Sequence, residues 1–358
     1  MEIKTIHLPH TLPDEFYQLP WQIYPGRYPW IPPVIADQKK QIENKDFFEH
    51  KDAVAILAYK DNALVGRAIF YDDSTSRFKT TGFFGYWEVI DNIDITREIF
   101  AQGKKWLKER GKTKILGPIN FNIFNGFRLL IDEHQSSALY REARNPIYYN
   151  EHLVALGMKE DSYWDLFCLE KDRIEKLQQL ADELYLKQAR PHFKTHFYHP
   201  SDLDEFIFPI YREVLQKRVK ESYFSKISID EFETSLDVLF TINQTEQVLI
   251  LNENRELLGL CLNHFDYAPF FISNNGNEVT SSTKQRAYHP QLIVNFLSHD
   301  PIGEDQMLEG KILRSLLKVF KKSQAERILI PLPRETKGGI SKLATRWRSY
   351  ALYLGEIA

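Results

Sequence analysis

Glu88 lies between Trp87 and Val89 on a stretch that reads as a strand. An apolar surround raises a carboxyl pKa towards the range useful to a general base, whereas the same residue facing outward is an ordinary solvated carboxylate. Tyr148 and Tyr149 open a short helical stretch ending at Leu156-Gly157. A phenol there either holds a proton beside a ligand or packs in the core. Asn120, Asn122 and Asn125 cluster in Gly117-Pro118-Ile119-Asn120-Phe121-Asn122-Ile123-Phe124-Asn125, just past an apolar strand. Ligands collect beyond strand ends in α/β sheets, so three amides there suit a substrate's carboxylate or amide, although asparagine also makes turns. Arg128 nearby either pairs with an acidic group of that substrate or stands on the surface.

Other chemistries are poorly served. His192, His196 and His199 lie close together, but on an extended strand the first two face one way and the third the other, so no metal site is expected. There is no Gly-rich phosphate loop, no Gly-x-Ser-x-Gly and no His-Glu-x-x-His, which leaves nucleotide hydrolysis, serine hydrolysis and zinc peptidase activity without support. Lys104, Lys105, Lys108, Arg110, Lys112 and Lys114 read as a solvated helix face, with a polyanion site as the alternative. The 358 residues carry 46 basic against 49 acidic side chains, a net charge of -3, which argues against a duplex-binding protein. The two cysteines, Cys168 and Cys261, sit in apolar runs as small buried hydrophobes. No apolar run reaches the ~18 residues of a spanning helix, and Met1-Glu2-Ile3-Lys4-Thr5 has no secretion signal. A soluble, cytoplasmic protein is expected.

The elements that must position these residues follow a repeated order. The first fifty residues are dense in proline and aromatics, and should run extended over a surface, held by their rings. Val54-Ala55-Ile56-Leu57, a polar turn at Lys60-Asp61-Asn62 and Leu64-Val65-Gly66 then read as a hairpin. The same pattern returns as Val248-Leu249-Ile250-Leu251, Asn252-Glu253-Asn254-Arg255 and Leu257-Leu258-Gly259. A strand from Gly82 to Ile90 leads to a helix striped by Ile95, Ile99, Phe100, Trp106 and Leu107, then to Ile115-Leu116-Gly117-Pro118. Downstream, Leu292 to Leu297 leads to a helix striped by Ile312, Leu313, Leu316, Leu317 and Phe320, then to Ile328-Leu329-Ile330-Pro331. Two copies of one layout constrain the whole fold. The junction is expected near Gln188-Ala189-Arg190-Pro191, after a helix from Asp172 to Leu186.

Hairpin, central strand, long helix, diverging strand, further helix and closing strands is an order that resembles the GNAT acyltransferase superfamily. The chain resembles a tandem GNAT protein with an α/β (α+β) fold: two modules, 1–187 with its Pro/aromatic arm and 188–358, each a mixed, splayed sheet flanked by helices. The first half also resembles a bacterial group of GNAT-like proteins of unknown function. The shared residues are Leu19-Pro20-Trp21, Trp30-Ile31-Pro32-Pro33, Phe47-Phe48-x-His50, Gly66-Arg67, Gly82-Phe83-Phe84-Gly85, Glu88, Gly117-Pro118-Ile119-Asn120, Leu129-Leu130-Ile131-Asp132 and Asn145-Pro146-x-Tyr148-Tyr149 leading to Leu156-Gly157.

The resemblance implies acyl transfer from a thioester, acyl-CoA or carrier-borne, to a small-molecule amine or amino-acid-like acceptor, without a metal. It implies Glu88 as base, Tyr149 as acid, and Tyr148 with Asn120, Asn122 and Asn125 on the substrate. It further implies a thioester arm paired to the fourth strand and a pyrophosphate on the following helix N-terminus. At that place stand Asp91-Asn92-Ile93-Asp94-Ile95-Thr96-Arg97 and, in the second half, Asp300-Pro301-Ile302-Gly303-Glu304-Asp305-Gln306. These degenerate loops near Asp94 and Gly303 put carboxylates where phosphate would dock, satisfying the same donors and repelling an anion, which counts against coenzyme A. Two other readings remain open: a catalytically inactive GNAT fold that binds a ligand or partner, and aminoacyl transfer from tRNA of the Fem type, suggested by the basic helix.

Overall fold

A computed structural model of the chain describes every residue except 25, 27–29, 44, 187–193, 219–222, 280–287, 300–305, 336–338 and 358. Strand β1 (Glu2–Leu8) precedes three helices, α1 (Asp14–Gln18), α2 (Pro20–Ile23) and α3 (Ile35–Glu43). The expectation of an extended arm is therefore corrected. Proline removes an N–H and fixes φ, which costs a helix nothing at its first residue. Pro20 stands there in α2 and Pro13 caps α1, so these two prolines start helices, while Pro32 and Pro33 lie in the irregular stretch before α3. Strands β2 (Lys51–Lys60) and β3 (Ala63–Asp73) form the first hairpin, with Asp61 and Asn62 at φ of 51 and 63° as a two-residue turn requires. Then come β4 (Thr81–Val89), α4 (Ile93–Lys108), β5 (Lys114–Gly117), β6 (Leu129–Leu130), α5 (Tyr148–Ala155), β7 (Lys159–Leu169) and α6 (Lys171–Leu186). Along β2, Ala53, Ala55 and Leu57 face one apolar cluster, and Val54, Ile56 and Ala58 face another with Ile95, Ile99 and Phe100 of α4. A strand apolar on both faces is what a sheet covered by helices on both sides demands.

The remaining elements are β8 (Lys194–Tyr198), α7 (Ile207–Arg218), α8 (Ile229–Ile242), β9 (Gln247–Leu251), β10 (Leu257–Asp266), α9 (Ala268–Asn274), β11 (His289–His299), α10 (Gln306–Ser323), β12 (Arg327–Pro333), α11 (Gly339–Leu343) and β13 (Thr345–Glu356). The two halves do not have separate sheets. The strands form one 13-stranded sheet in the order β1-β2-β3-β4-β5-β13-β7-β12-β11-β10-β9-β8, with β6 against β13. From either end the order is five strands and then a closing pair, and each half lends its last strand to the slot beside the other's fifth. Strand β13 pairs with β5 on one side and β7 on the other, and β7 also pairs with β12. The division between residues 187 and 188 lies outside the described residues.

The halves also match in register. Strands β4 and β5 are parallel over Thr81↔Lys114, Gly82↔Ile115 and Phe83↔Leu116, and β11 and β12 over Gln291↔Arg327, Leu292↔Ile328 and Ile293↔Leu329. Beyond these pairs each couple splays. Between Gly85 and Glu88, β4 has one residue more than β3; between Val294 and Phe296, β11 has one more than β10. A bulge at the same place in both copies turns the strand away from its neighbour and opens the wedge. Gly85 and Gly117 sit where the first wedge closes, and a β-carbon on either would overlap the Ile119 or Phe84 carbonyl.

At the end of the β2–β3 hairpin opposite its turn, a buried ion network ties the halves together. Lys51 Nζ lies 3.2 Å from Glu231 Oε1 and 3.7 Å from Asp73 Oδ2. Removing one member of such a network leaves an uncompensated buried charge. Lys51→Ala is expected to lower unfolding free energy by about 3–5 kcal/mol, read from urea midpoints. A loss below about 1 kcal/mol, the size of a surface pair, would show that the network does not join the halves.

Candidate functional site

The residues singled out on β4 and α5 meet. The Tyr149 hydroxyl donates to Glu88 Oε2 at 2.7 Å, and the hydroxyl oxygen itself accepts from the Val89 amide at 3.0 Å. Strand β4 and α5 are far apart in sequence, and the Trp87 ring packs against the Tyr149 ring between them, centroids 4.5 Å apart and tilted by 34°. Burial is the main cause that pushes the Glu88 carboxyl above its usual range; the Arg67 guanidinium and the Tyr149 and Tyr24 hydroxyls pull it partly back. Burial also holds the Tyr149 phenol well above its ordinary value, with Glu88 adding to the shift, so it stays protonated. The result is a carboxylate with a bound proton donor, facing a cavity of about 450 Å³.

Two further residues of this cluster carry no sequence-level assignment above. Arg67 stands opposite Glu88 across β3 and β4 and is almost wholly buried. Its Nη1 donates to the Phe16 carbonyl, its guanidinium carbon lies 4.1 Å from the centre of the Phe16 ring, and its Nε has no hydrogen-bond partner among the described residues. A lone cation inside Leu64-Val65-Gly66-Arg67-Ala68-Ile69 was the available signal, because a buried charge needs a partner. Tyr24, stacked at 4.9 Å on Trp30, brings the arm over the cavity, and no spacing rule marked it.

The other predicted residues divide. Asn120 lines the cavity, and its Oδ1 accepts from the Tyr86 amide at 2.7 Å. Asn125 also lines it and accepts from Ser235 Oγ at 2.7 Å. Asn122 is buried away from the cavity and caps the Phe124 and Asn125 amides, the turn-making alternative. Tyr148 does not line the cavity; its hydroxyl donates to the Val89 carbonyl at 2.8 Å. Arg128 pairs with Glu142 at 2.6 Å, with both side chains 6% exposed, so it is engaged within the chain. The Tyr86 and Val89 amides and the Val89 carbonyl of β4 are thus held by Asn120, Tyr149 and Tyr148.

At the α4 N-terminus the expected capping by carboxylates is corrected. Asn92 Oδ1 accepts from the Asp94 and Ile95 amides at 3.0 and 3.4 Å, while Asp94 binds Arg97 at 2.7 Å. The amides a pyrophosphate would take are engaged, and with Asp94 beside them the site does not fit that group. Gly303 and His192 lie outside the described residues. Among the described residues no three His, Cys, Asp or Glu side chains form a metal cluster, and no helix is long and apolar enough to cross a membrane. On the basic stretch, Arg110 pairs with Asp52 and Lys112 with Asp72, each at 2.6 Å.

The cavity continues into the second wedge, reaching Asn295, Pro331 and Pro333. There the register that leads to Glu88 leads to Ser298, and the partner of Ser298 is Leu260 where Glu88 faces Arg67. The second copy therefore lacks the carboxylate and the cation. It keeps a buried His264 instead, with Nε2 3.1 Å from Asn295 Oδ1 and Nδ1 at the Phe265 carbonyl.

Comparison with known proteins agrees with this architecture. No known protein-family profile matches the chain. Over 146 residues it is 30% identical to protein YghO of Escherichia coli (strain K12), covering 40% of this chain and 37% of that one. Over 172 residues it is 24% identical to a bacterial ceramide synthase of Caulobacter vibrioides, covering 46% and 44%. The chain thus matches less than half the length of these curated relatives. Among solved structures, a tandem GNAT protein from the clavulanic acid biosynthesis pathway aligns over 100% of this chain and 99% of its own, at TM-score 0.59 and 10% identity. Eis1 from Mycobacterium abscessus aligns over 100% and 74%, at TM-score 0.51 and 11% identity. The chain has the GNAT fold in tandem form.

His264 makes the second wedge sensitive to acid. Burial lowers its pKa from 6.5 to about 4, so folding favours the neutral ring. A depressed folded value gives stability that is present above pH 6.5 and lost as pH falls towards 4. That loss should reach about 3 kcal/mol in urea melts of the wild type and flatten in His264→Gln. An equal slope in both proteins would exclude His264 as the source.

Proposed function

We propose that the protein transfers an acyl group from a thioester, CoA-borne or carrier-borne, to the amine of a small-molecule acceptor, in the cavity beside the first wedge. The observation that supports this reading most is the Glu88–Tyr149 hydrogen bond facing that cavity, in a fold shared with N-acyltransferases. The 24% identical relative is named for making a ceramide, which is an amide of a long-chain amine.

The acceptor ammonium first loses a proton to solvent; Glu88, ionised, then accepts one proton from the amine nitrogen as it attacks. The nitrogen bonds to the thioester carbonyl carbon and an oxyanion forms. Its collapse breaks the carbon–sulfur bond, giving an amide and a thiolate. The proton on Glu88 passes through the Tyr149 hydroxyl to the sulfur, so the thiol leaves neutral and both residues return to their first state. The Arg67 guanidinium opposes the burial that raises the Glu88 carboxyl, which favours the ionised form the step needs.

A second reading, ligand binding without catalysis, is favoured by the Asn92 cap and by the β4 backbone groups already engaged. Thiol release from acetyl-CoA, long-chain acyl-CoA and an acylated carrier, each with a panel of primary amines, separates the two. Glu88→Gln should cut turnover by about 10²–10⁴-fold with an unchanged urea midpoint. Only the carboxylate accepts a proton, so the wild-type rate should rise with pH through a pKa above the usual 4.5, and the variant should lack that limb. Turnover unchanged in Glu88→Gln would remove the residue from the mechanism, and no thiol release from any donor would favour binding alone.

A further inference from the structure

Among the described residues, four arginines line the cavity: Arg67, Arg128, Arg141 and Arg144. The lining carboxylates are Asp37, Glu88 and Glu142. Arg128 and Glu142 neutralise one another, and Arg67 faces Glu88 across the strands. Arg141 is different. Its Nη1 donates to the Ser235 carbonyl at 3.2 Å and its Nη2 to the Phe124 carbonyl at 2.9 Å, and no ion pair holds it among the described residues. Neutral carbonyls orient the guanidinium but leave its charge uncompensated, in a site where water is partly excluded and charge interactions are strong.

The surroundings of Arg141 are polar and rigid. Its backbone sits at φ of 66°, a conformation uncommon for a side chain of this size. The Tyr140 hydroxyl lies beside it, and the Tyr140 amide is pinned to Asp266 at 2.9 Å. Asn125 and Ser235, bonded to each other at 2.7 Å, complete this part of the wall with donors and acceptors. Both halves contribute, Asn125 and Arg141 from the first and Ser235 from the second. The cavity thus offers a carboxylate with a proton donor at the wedge and a fixed, charge-unmatched guanidinium towards the second half.

We infer that the acceptor is a zwitterion: its amine faces Glu88, and an anionic group, carboxylate or phosphate, is bound by Arg141. This rests on the acyl-transfer reading for the role of the amine, while the anion site stands on Arg141 alone. A guanidinium fork binds either anion through two parallel hydrogen bonds. An acceptor lacking the anion would leave that charge unmet inside the cavity, which is a strong basis for discrimination.

The test is binding, without a thioester. Isothermal titration would compare glycine through 6-aminohexanoate, O-phosphoethanolamine and n-alkylamines of matched length. At the best length the anion-bearing amine should bind the wild type at least tenfold more tightly than its neutral counterpart. Arg141→Gln should abolish that preference, Arg141→Lys should keep part of it, and Glu88→Gln should leave it in place. If Arg141→Gln does not fold, the lysine variant decides, since it keeps the charge and loses the fork. Equal affinities for anionic and neutral amines, or a preference undiminished in both Arg141 variants, would overturn the proposal. Preference without acyl product under any donor would count against acyl transfer alone, so the two failures are distinguishable. The better of the carboxylate and phosphate series identifies the anion.

Discussion

Strand β13 starts beside Cys168 of β7 and ends beside Lys114 of β5, and this single strand decides the shape of the molecule. Without it, β5 and one side of β7 would each have an unpaired edge. A sheet edge left open exposes a row of backbone donors and acceptors, and burial of such groups without partners is costly. The two halves meet that demand reciprocally: β13 completes the first half and β7 the second. Neither half closes its own sheet. The exchange also brings the two wedges to neighbouring positions, so that one cavity is lined by Glu88 from one and Asn295 from the other.

Within this symmetric frame, the facing carboxylate and guanidinium occur in one copy. The bulge, the parallel register and the splay recur in both halves, because they follow from backbone geometry. The side chains at equivalent register positions do not recur: Arg67 and Glu88 in the first half correspond to Leu260 and Ser298 in the second. A carboxylate buried near a guanidinium and two phenols is expensive to keep, since each charge must be desolvated. Glu88 has those partners, and in the second half the interior is polar without a charge pair, built on Asp266, Gln291 and a neutral His264.

Much of this was legible in the sequence, and the parts that were not have identifiable causes. The Val-x-Ile-Leu hairpins and the striped helices marked both copies, because local periodicity is what a strand or a helix imposes on its residues. Glu88 and Tyr149 could be named from their resemblance to a superfamily, although their hydrogen bond joins residues 61 apart. The strand exchange was illegible: Tyr163 to Leu169 and Tyr350 to Leu354 are apolar strands that fit either slot, and nothing local states which neighbour each takes. The arm was misread because prolines at helix starts look the same as prolines that forbid helices. Asn92 was passed over for its acidic neighbours, although asparagine is among the best N-caps. Asn122 takes the turn-making alternative, and Arg128, buried against Glu142, is neither on the surface nor available to a substrate.

A crystal structure with a non-hydrolysable acyl thioester analogue, a ketone in place of the thioester, tests the assignment of the first wedge most directly. The expected result is the carbonyl within hydrogen-bond reach of the Glu88–Tyr149 pair, with the acyl chain in the shared cavity. An analogue seated at the second wedge, beside Ser298 rather than Glu88, would contradict it.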